Sequence, residues 1–370
     1  MTPATLPPAR EGDSFAPVFV VGYMHSGTTL LHNMLAAHPS IFAAADETRF
    51  FGYLPLIAGL YPDLDDDGTL ADLIVMVMDL IAHGDPARLR SAPKRYRPAG
   101  YDNAGDQIAA VIAAVGPDRR YGMVFRRVFE QLTRQAGKTR WLEKTPQHVF
   151  AIEDILRDIP DARFIEIIRD PRDILASKKK RKAAMRGKIA TQADRIKALE
   201  RVYEPLWESL EWRLALRAGQ QAAAQFPDRL YSLRYEDLVA DPERVLAGVC
   251  AFAGLDFSPR MLDVRWWNTA EGDRSQRQGV VSDAVGRWQR TLSASEVAVC
   301  QRATGAQLRR AGYAPVPVPA RAWPGAAWLA VRAGFGLIDR LIRRWRLGGM
   351  PFLMNTLTNY AKELRKLIRR

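Results

Sequence analysis

Two stretches of this 370-residue chain have residue types and spacings suited to holding anions. The first, Val20 to Pro39, reads VVGYMHSGTTLLHNMLAAHP: an apolar run, a loop framed by Gly22 and Gly27, then helical spacing at Leu30, Leu31, Met34 and Leu35. The free N–H groups at a helix start sit at the positive end of its dipole, so such a loop suits a phosphate. Thr28 stands where the triphosphatase pattern G-x-x-x-x-G-K-[ST] has the lysine that reaches the β/γ-phosphates. A 5′-phosphate with no γ-phosphate and no obligatory metal does not require that lysine. The competing reading is an ordinary glycine turn before a core helix.

The second stretch is FIEIIRDPRDILASKKKRK. It places Arg169 at the end of an apolar run, Pro171 at a turn, and Ser177 and Arg181 four residues apart on one face of the helix expected to follow. Guanidinium groups with a hydroxyl make a separate anion pocket. Two such pockets on one sheet imply a doubly phosphorylated nucleotide. The alternative, a solvated basic face from Lys178 to Lys182, is adopted here for Lys179 and Lys180 but not for Arg169.

Strand and helix signals alternate along the elements that must position these residues. Pro17 to Gly22, Ile41 to Ala44, Arg140 to Lys144, Arg163 to Asp170 and Arg229 to Leu238 read as buried strands, the last passing into a helix. Their alternation with helices predicts an α/β fold with a central parallel sheet flanked by helices. The expected organisation is a flexible N-terminus over 1–14 and an α/β domain over 15–312, with a helical insertion over 53–137 that shapes the acceptor site. A proline-rich linker over 313–325 and a basic amphipathic helical tail over 326–370 would follow.

A net charge of +13 invites a nucleic-acid reading, but residues 321–370 alone carry eleven Lys/Arg against two acids. The basicity therefore belongs to the tail, and no nucleic-acid partner is expected. Trp328, Val331, Phe335, Ile338, Ile342 and Trp345 recur at steps of three and four, as do Leu353, Leu357, Tyr360, Leu364 and Leu367. Basic, tryptophan-bearing amphipathic helices suit an anionic membrane surface; docking on the domain or on a second copy in a homo-oligomer is the alternative. Only two cysteines occur, Cys250 and Cys300, without ligand-like spacing, and no secretory signal or long apolar span is evident. A cytoplasmic protein is expected, peripheral on the inner face of the membrane if the tail binds lipid.

In its motifs the chain resembles sulfotransferases that use 3′-phosphoadenosine 5′-phosphosulfate (PAPS). The resemblance rests on MHSGTTLL, IIRDPRDILAS, RYEDL and the GRW of VSDAVGRWQRTLS, in this order across residues 17 to 290. HPSIFAAADETRFF is similar to the catalytic segment of the tyrosylprotein and carbohydrate branch, which ends in Glu-Thr-Arg. The resemblance implies a P-loop-like α/β domain, PAPS as donor, 3′,5′-ADP as product, and no required metal. It further implies that Ser26, Gly27, Thr28 and Thr29 hold the 5′-phosphate, and that Arg169, Ser177 and Arg181 hold the 3′-phosphate. Tyr235 would lie near the adenine, and Gly286, Arg287 and Trp288 would close over the nucleotide.

Moving a sulfuryl group to a hydroxyl requires a base for the acceptor proton and cations for the developing charge. Glu47 is the candidate base, at the carboxyl edge of the sheet; a first-turn helix acid capped by Asp46 is its alternative. Lys144 in WLEKTP is the candidate cation, and Arg49 orients the base or the acceptor. His25 occupies a loop position where many relatives have Lys or Arg, so a protonated imidazole would replace that cation. His148 is the rival base. A P-loop kinase and a non-catalytic basic membrane-surface protein are the alternative functions, and the acceptor hydroxyl, whether of a glycan, lipid, phenol or tyrosine, is not encoded in any motif.

Overall fold

The computed structural model describes residues 17–84, 100–185, 203–264 and 284–334. Its centre is a five-stranded sheet of order β2-β3-β1-β4-β5, with every neighbouring pair parallel. The strands are β1 Val18–Gly22, β2 Ile41–Ala43, β3 Arg140–Lys144, β4 Arg163–Ile168 and β5 Leu230–Arg234. β1 is buried along its whole length, as expected of a central strand covered on both faces.

The two-residue repeat of a strand sends alternate side chains to opposite layers. Phe19 and Val21 enter one core, where Phe19 stacks on Phe164 at 5.3 Å and meets Trp141 edge-on at 5.4 Å. Val18 and Val20 enter the other with Leu142, Ile165 and Ile167. The second layer is closed by α1 (Thr28–Ala36), through Leu31, Met34 and Leu35, and by two helices after β5. The first layer takes α2 (Leu54–Leu60), α3 (Asp67–His83), α4 (Gly105–Val115) and α5 (Tyr121–Gln135).

β4 is flanked by α6 (Ile152–Asp158) and α7 (Pro171–Met185), and α8 (Pro205–Gln225) packs Trp212, Ala215 and Leu216 into the first core. The remaining helices are α9 (Tyr235–Ala240), α10 (Pro242–Ala253), α11 (Trp288–Thr291), α12 (Ala294–Thr304) and α13 (Ala306–Arg310). β5 ends at Arg234, so RYEDL is almost wholly helix; Tyr235 opens α9 rather than closing the strand.

Residues 313–319 of the proline-rich stretch lie outside any helix or strand, residues 320–325 turn into a helix, and the stretch is tied to the domain. Gln301 accepts from the Val316 N–H at 2.7 Å and donates to its carbonyl at 2.9 Å, and the buried Tyr313 donates to Glu236 at 2.8 Å. Residues 323–334 are helical and dock through Ala326, Leu329 and Ala333, with the Trp207 indole donating to the Ala333 carbonyl and Arg332 pairing with Glu204. Trp328 and Val331, from the stripe noted in the sequence, point the other way and are 66% and 54% exposed. The expectations for residues 1–14 and for the tail beyond 334 lie outside the described residues.

Candidate active site

In an open parallel sheet, ligands bind beyond the carboxyl ends of the strands, where the strand order reverses. β1 is that reversal here, with β3 on one side and β4 on the other. Every candidate from the five strands follows a carboxyl end: the Gly22–Gly27 loop after β1, Glu47 after β2, Lys144 closing β3, Arg169 after β4 and Tyr235 after β5.

The loop after β1 is made by two close approaches. Gly22, at φ 143°, lies against β4, where a Cβ would come within 2.6 Å of the Ile167 carbonyl oxygen. Gly27, at φ 99°, caps α1 in the left-handed region, and a Cβ there would fall 2.3 Å from the Tyr235 ring. Only glycine fits both demands without displacement. No side chain caps α1 and no acid sits in its first turn, so the helix itself does not neutralise its positive end. Ser26 is fully buried and its Oγ has no hydrogen-bond partner, while Thr28 is buried and Thr29 half-buried beside it. A buried hydroxyl without a partner at an uncapped helix start is what a loop shaped for an anion presents.

Arg169 turns towards this loop. Its guanidinium donates to the His25 carbonyl at 3.1 Å and to the Ala284 carbonyl at 2.7 Å, lies 4.3 Å above the Tyr235 ring, and keeps a buried Nε–H without a partner. One side chain thus joins the β1 loop, the β4–α7 turn, the start of α9 and the segment at 284. His25 itself has φ 66°, a left-handed conformation that costs a non-glycine residue ~1 kcal/mol or more. Ser177 and Arg181 are half-buried on α7, one and two turns beyond Asp173 on the same face.

Asp173 is a site residue that the motifs did not single out. Its carboxylate accepts from the Gly286 N–H at 2.8 Å and the Trp288 N–H at 2.9 Å, and the Trp288 ring covers the Arg172 guanidinium at 4.3 Å. Burial holds the Asp173 carboxyl above the usual aspartate range, opposed by those two N–H groups and by Arg169. The GRW segment is therefore clamped to the start of α7. The signal available was the second aspartate of R-D-P-R-D, which falls in the first turn of a helix opened by proline.

The basic run on α7 departs from its expected role. Lys179 is not a solvated charge: it donates to Glu296 at 2.7 Å and to the Thr291 carbonyl at 3.0 Å, joining α7 to α12. Lys178 pairs with Glu208 on α8 and donates to the Tyr23 hydroxyl at 3.1 Å, and Tyr23 donates to Glu208 at 2.6 Å. The sequence shows the run of positive charge but not the acids brought to it from α8 and α12. Lys180 is exposed, as expected.

On the β2–β3 side, Lys144 is 3% exposed and donates to Glu47 at 3.1 Å and to Asp46 at 3.4 Å. Arg49, at φ 53°, donates to the other oxygen of Glu47 at 3.1 Å. Glu47 thus lies between two cations at the sheet edge, and Asp46 accepts from its backbone N–H at 2.8 Å. No helix starts there, so the first-turn acid reading does not describe it. His148 is fully enclosed, edge-on to Phe19 and Phe51, with Nδ1 3.0 Å from Glu143. The imidazole is packed against the aromatic core beside Glu143, and its Nε2 is buried without a hydrogen-bond partner. Among the described residues no cluster of His, Cys, Asp and Glu could hold a metal ion.

Residues 17–259 match the Sulfotransferase family. The chain is similar to the omega-hydroxy-beta-dihydromenaquinone-9 sulfotransferase Stf3 of Mycobacterium tuberculosis and of Mycobacterium bovis, at 24% identity over 270 residues, covering 65% of this chain and 63% of each relative. It therefore spans somewhat less than two thirds of the length of these curated relatives. A sulfotransferase domain from the curacin biosynthetic pathway aligns over 88% of this chain and 99% of its own, at 17% identity and a TM-score of 0.41. With a matched region that takes in β1 to β5, both glycine approaches and the Arg169 turn, this P-loop-like α/β chain belongs to the sulfotransferase family.

Proposed function

We propose that the protein moves a sulfuryl group from PAPS to a hydroxyl of an amphiphilic acceptor. The observation that carries the reading is the Arg169 guanidinium, which turns to the His25 carbonyl in the loop before the uncapped start of α1 and stands just ahead of the helix that bears Ser177 and Arg181. The orphaned Ser26 hydroxyl and the free Arg169 Nε–H are donors of the kind a bis-phosphorylated nucleotide would use. Ser26, Gly27, Thr28 and Thr29 would hold its 5′ end, with His25 beside them. Arg169, Ser177 and Arg181 would hold its 3′-phosphate, Tyr235 would border the adenine, and Gly286, Arg287 and Trp288 would cover it. PAPS supplies the activated sulfuryl group, and 3′,5′-ADP is the product.

In this reading a Glu47 carboxylate oxygen takes the proton of the acceptor hydroxyl, while Lys144 balances negative charge where the transferring group departs. Arg49 holds the second Glu47 oxygen, which fixes the orientation of the carboxylate. No metal is needed for these roles. A P-loop kinase would require the lysine that Thr28 replaces.

The name of Stf3 specifies a hydroxylated menaquinone derivative, and a lipid-borne hydroxyl is the acceptor class we favour here. The outward face of residues 323–334, with Trp323, Trp328 and Val331 exposed and net positive charge following in the sequence, suits an anionic bilayer at the cytoplasmic side. No helix among the described residues is long and apolar enough to cross a membrane. The test supplies labelled PAPS with organic and aqueous extracts of a bacterial lysate, with and without anionic liposomes. Label entering the organic fraction, lost in Glu47→Gln and retained in His148→Gln, supports the reading; label entering neither fraction refutes it.

A further inference from the structure

The Glu47–Lys144 pair joins the ends of two strands and depends on a carboxylate that touches neither residue. Glu143 precedes Lys144 on β3 and is fully buried. One of its oxygens accepts from the Thr145 hydroxyl at 2.6 Å, the Thr48 hydroxyl at 2.8 Å and the Thr48 N–H at 3.3 Å; the other faces His148 Nδ1 at 3.0 Å. Thr145 Oγ1 in turn accepts from the Arg49 N–H at 3.0 Å. Burial alone would push the Glu143 carboxyl up, but the facing His148 ring and the hydroxyls of Thr145 and Thr48 outweigh it and hold it below the usual range.

The cluster reaches the neighbours of both presumed reacting groups: Thr48 stands between Glu47 and Arg49, and Thr145 follows Lys144. The clamp holds the 47–49 turn from one side, while on the other the carbonyl of the left-handed Arg49 accepts from the Tyr53 N–H at 3.1 Å. A buried carboxylate is costly unless it is paired and hydrogen-bonded, and Thr48, Thr145 and His148 meet that demand here, so the acid and the groups it anchors depend on one another.

We propose that Glu143 is a positioning residue that clamps the Glu47–Thr48–Arg49 turn to the end of β3 through Thr48 and Thr145, setting Glu47 against Lys144. The inference rests on the sulfotransferase reading for the purpose of the clamp, but the clamp itself can be read without any donor. The test uses Glu143→Gln, Thr48→Val and Thr48→Ser in the full chain; the Thr48 pair carries the result if Glu143→Gln does not fold. Lysine acetylation kinetics, resolved by mass spectrometry, report the protection of Lys144, with Lys178 in its separate ion pair as the internal control.

Thr48→Val is expected to speed acetylation of Lys144 several-fold and leave Lys178 unchanged, and Thr48→Ser, which keeps the hydroxyl, to restore protection. In parallel, calorimetric affinity for 3′,5′-ADP should fall about tenfold in Thr48→Val while affinity for 3′-AMP, which lacks the 5′-phosphate, stays the same; that factor corresponds to one lost charged contact. Unchanged Lys144 protection in Thr48→Val, or equal acceleration at Lys144 and Lys178, overturns the clamp. Failure of the unaltered protein to bind 3′,5′-ADP would instead overturn the donor reading, and the acetylation result would still decide the clamp.

Discussion

Glu166 allows a prediction with a worked magnitude. It lies on β4 beside the loop after β1, 2% exposed, and borders a small cavity with Tyr23, Ser26, Trp212 and Leu216. Burial pushes its carboxyl from an ordinary 4.5 up to about 7, opposed by one hydrogen bond, the Ser232 hydroxyl at 2.8 Å. Below pH 4.5 the folded and unfolded chains are both protonated at this position. Between 4.5 and about 7 the folded chain keeps a proton that the unfolded chain has released, so this contribution to stability is lost as pH rises. Above 7 the loss is complete and amounts to about 3 kcal/mol. Glu166→Gln removes the charge at constant size and still accepts from Ser232. For a chain of this length the gain is about 4 °C in Tm at pH 8 and near zero at pH 4.5. Differential scanning calorimetry of both proteins at the two pH values measures it. A Tm difference that is the same at both would refute the argument that Glu166 is buried and protonated in the native state.

Other consequences follow from the same geometry. Gly27→Ala forces a Cβ into the Tyr235 ring at φ 99°, and affinity for 3′,5′-ADP measured by calorimetry should fall at least tenfold, with Gly105→Ala, in open surroundings, as the matched control. Asp173→Asn keeps the shape of the latch but loses the charge that receives two N–H groups; proteolysis between Ala284 and Trp288 should become faster, and 3′,5′-ADP should no longer slow it fully. For His25, Ala should lower donor consumption by more than tenfold and Arg should retain most of it; equal rates in both variants would remove the imidazole from the mechanism.

Much of the fold was legible because its signals are local. Each of the five strands falls where a short apolar run predicts it, and the helix after Gly27 begins where the loop glycine ends the strand signal. The shared location of the candidate residues follows from the same signals, since residues at the carboxyl ends of strands in a parallel sheet lie along one edge. What escaped depends on partners far apart in sequence. Lys179 reads as a solvated charge until Glu296 arrives from α12, and nothing near Glu143 announces that Thr48, from a different strand end, will share its oxygen. His148 stands out in the sequence by its type and its neighbourhood in KTPQH, while its enclosure by Phe19 and Phe51 is a property of the packed core. Residues 323–334 show the same limit: the stripe through Trp328 and Val331 was visible, but the face at Ala326, Leu329 and Ala333 that docks them was not.

Calorimetric titration of the full chain with 3′,5′-ADP, 5′-AMP, 3′-AMP and ATP in the absence of magnesium tests the paired pockets most directly. The account predicts that 3′,5′-ADP binds at least a hundredfold more tightly than either monophosphate, that ATP is the weaker of the two nucleotides carrying more than one phosphate, and that Arg169→Met reduces the 3′,5′-ADP advantage over 5′-AMP to a few-fold. Equal affinity for 3′,5′-ADP and 5′-AMP in the unaltered protein, or tighter binding of ATP, would contradict it.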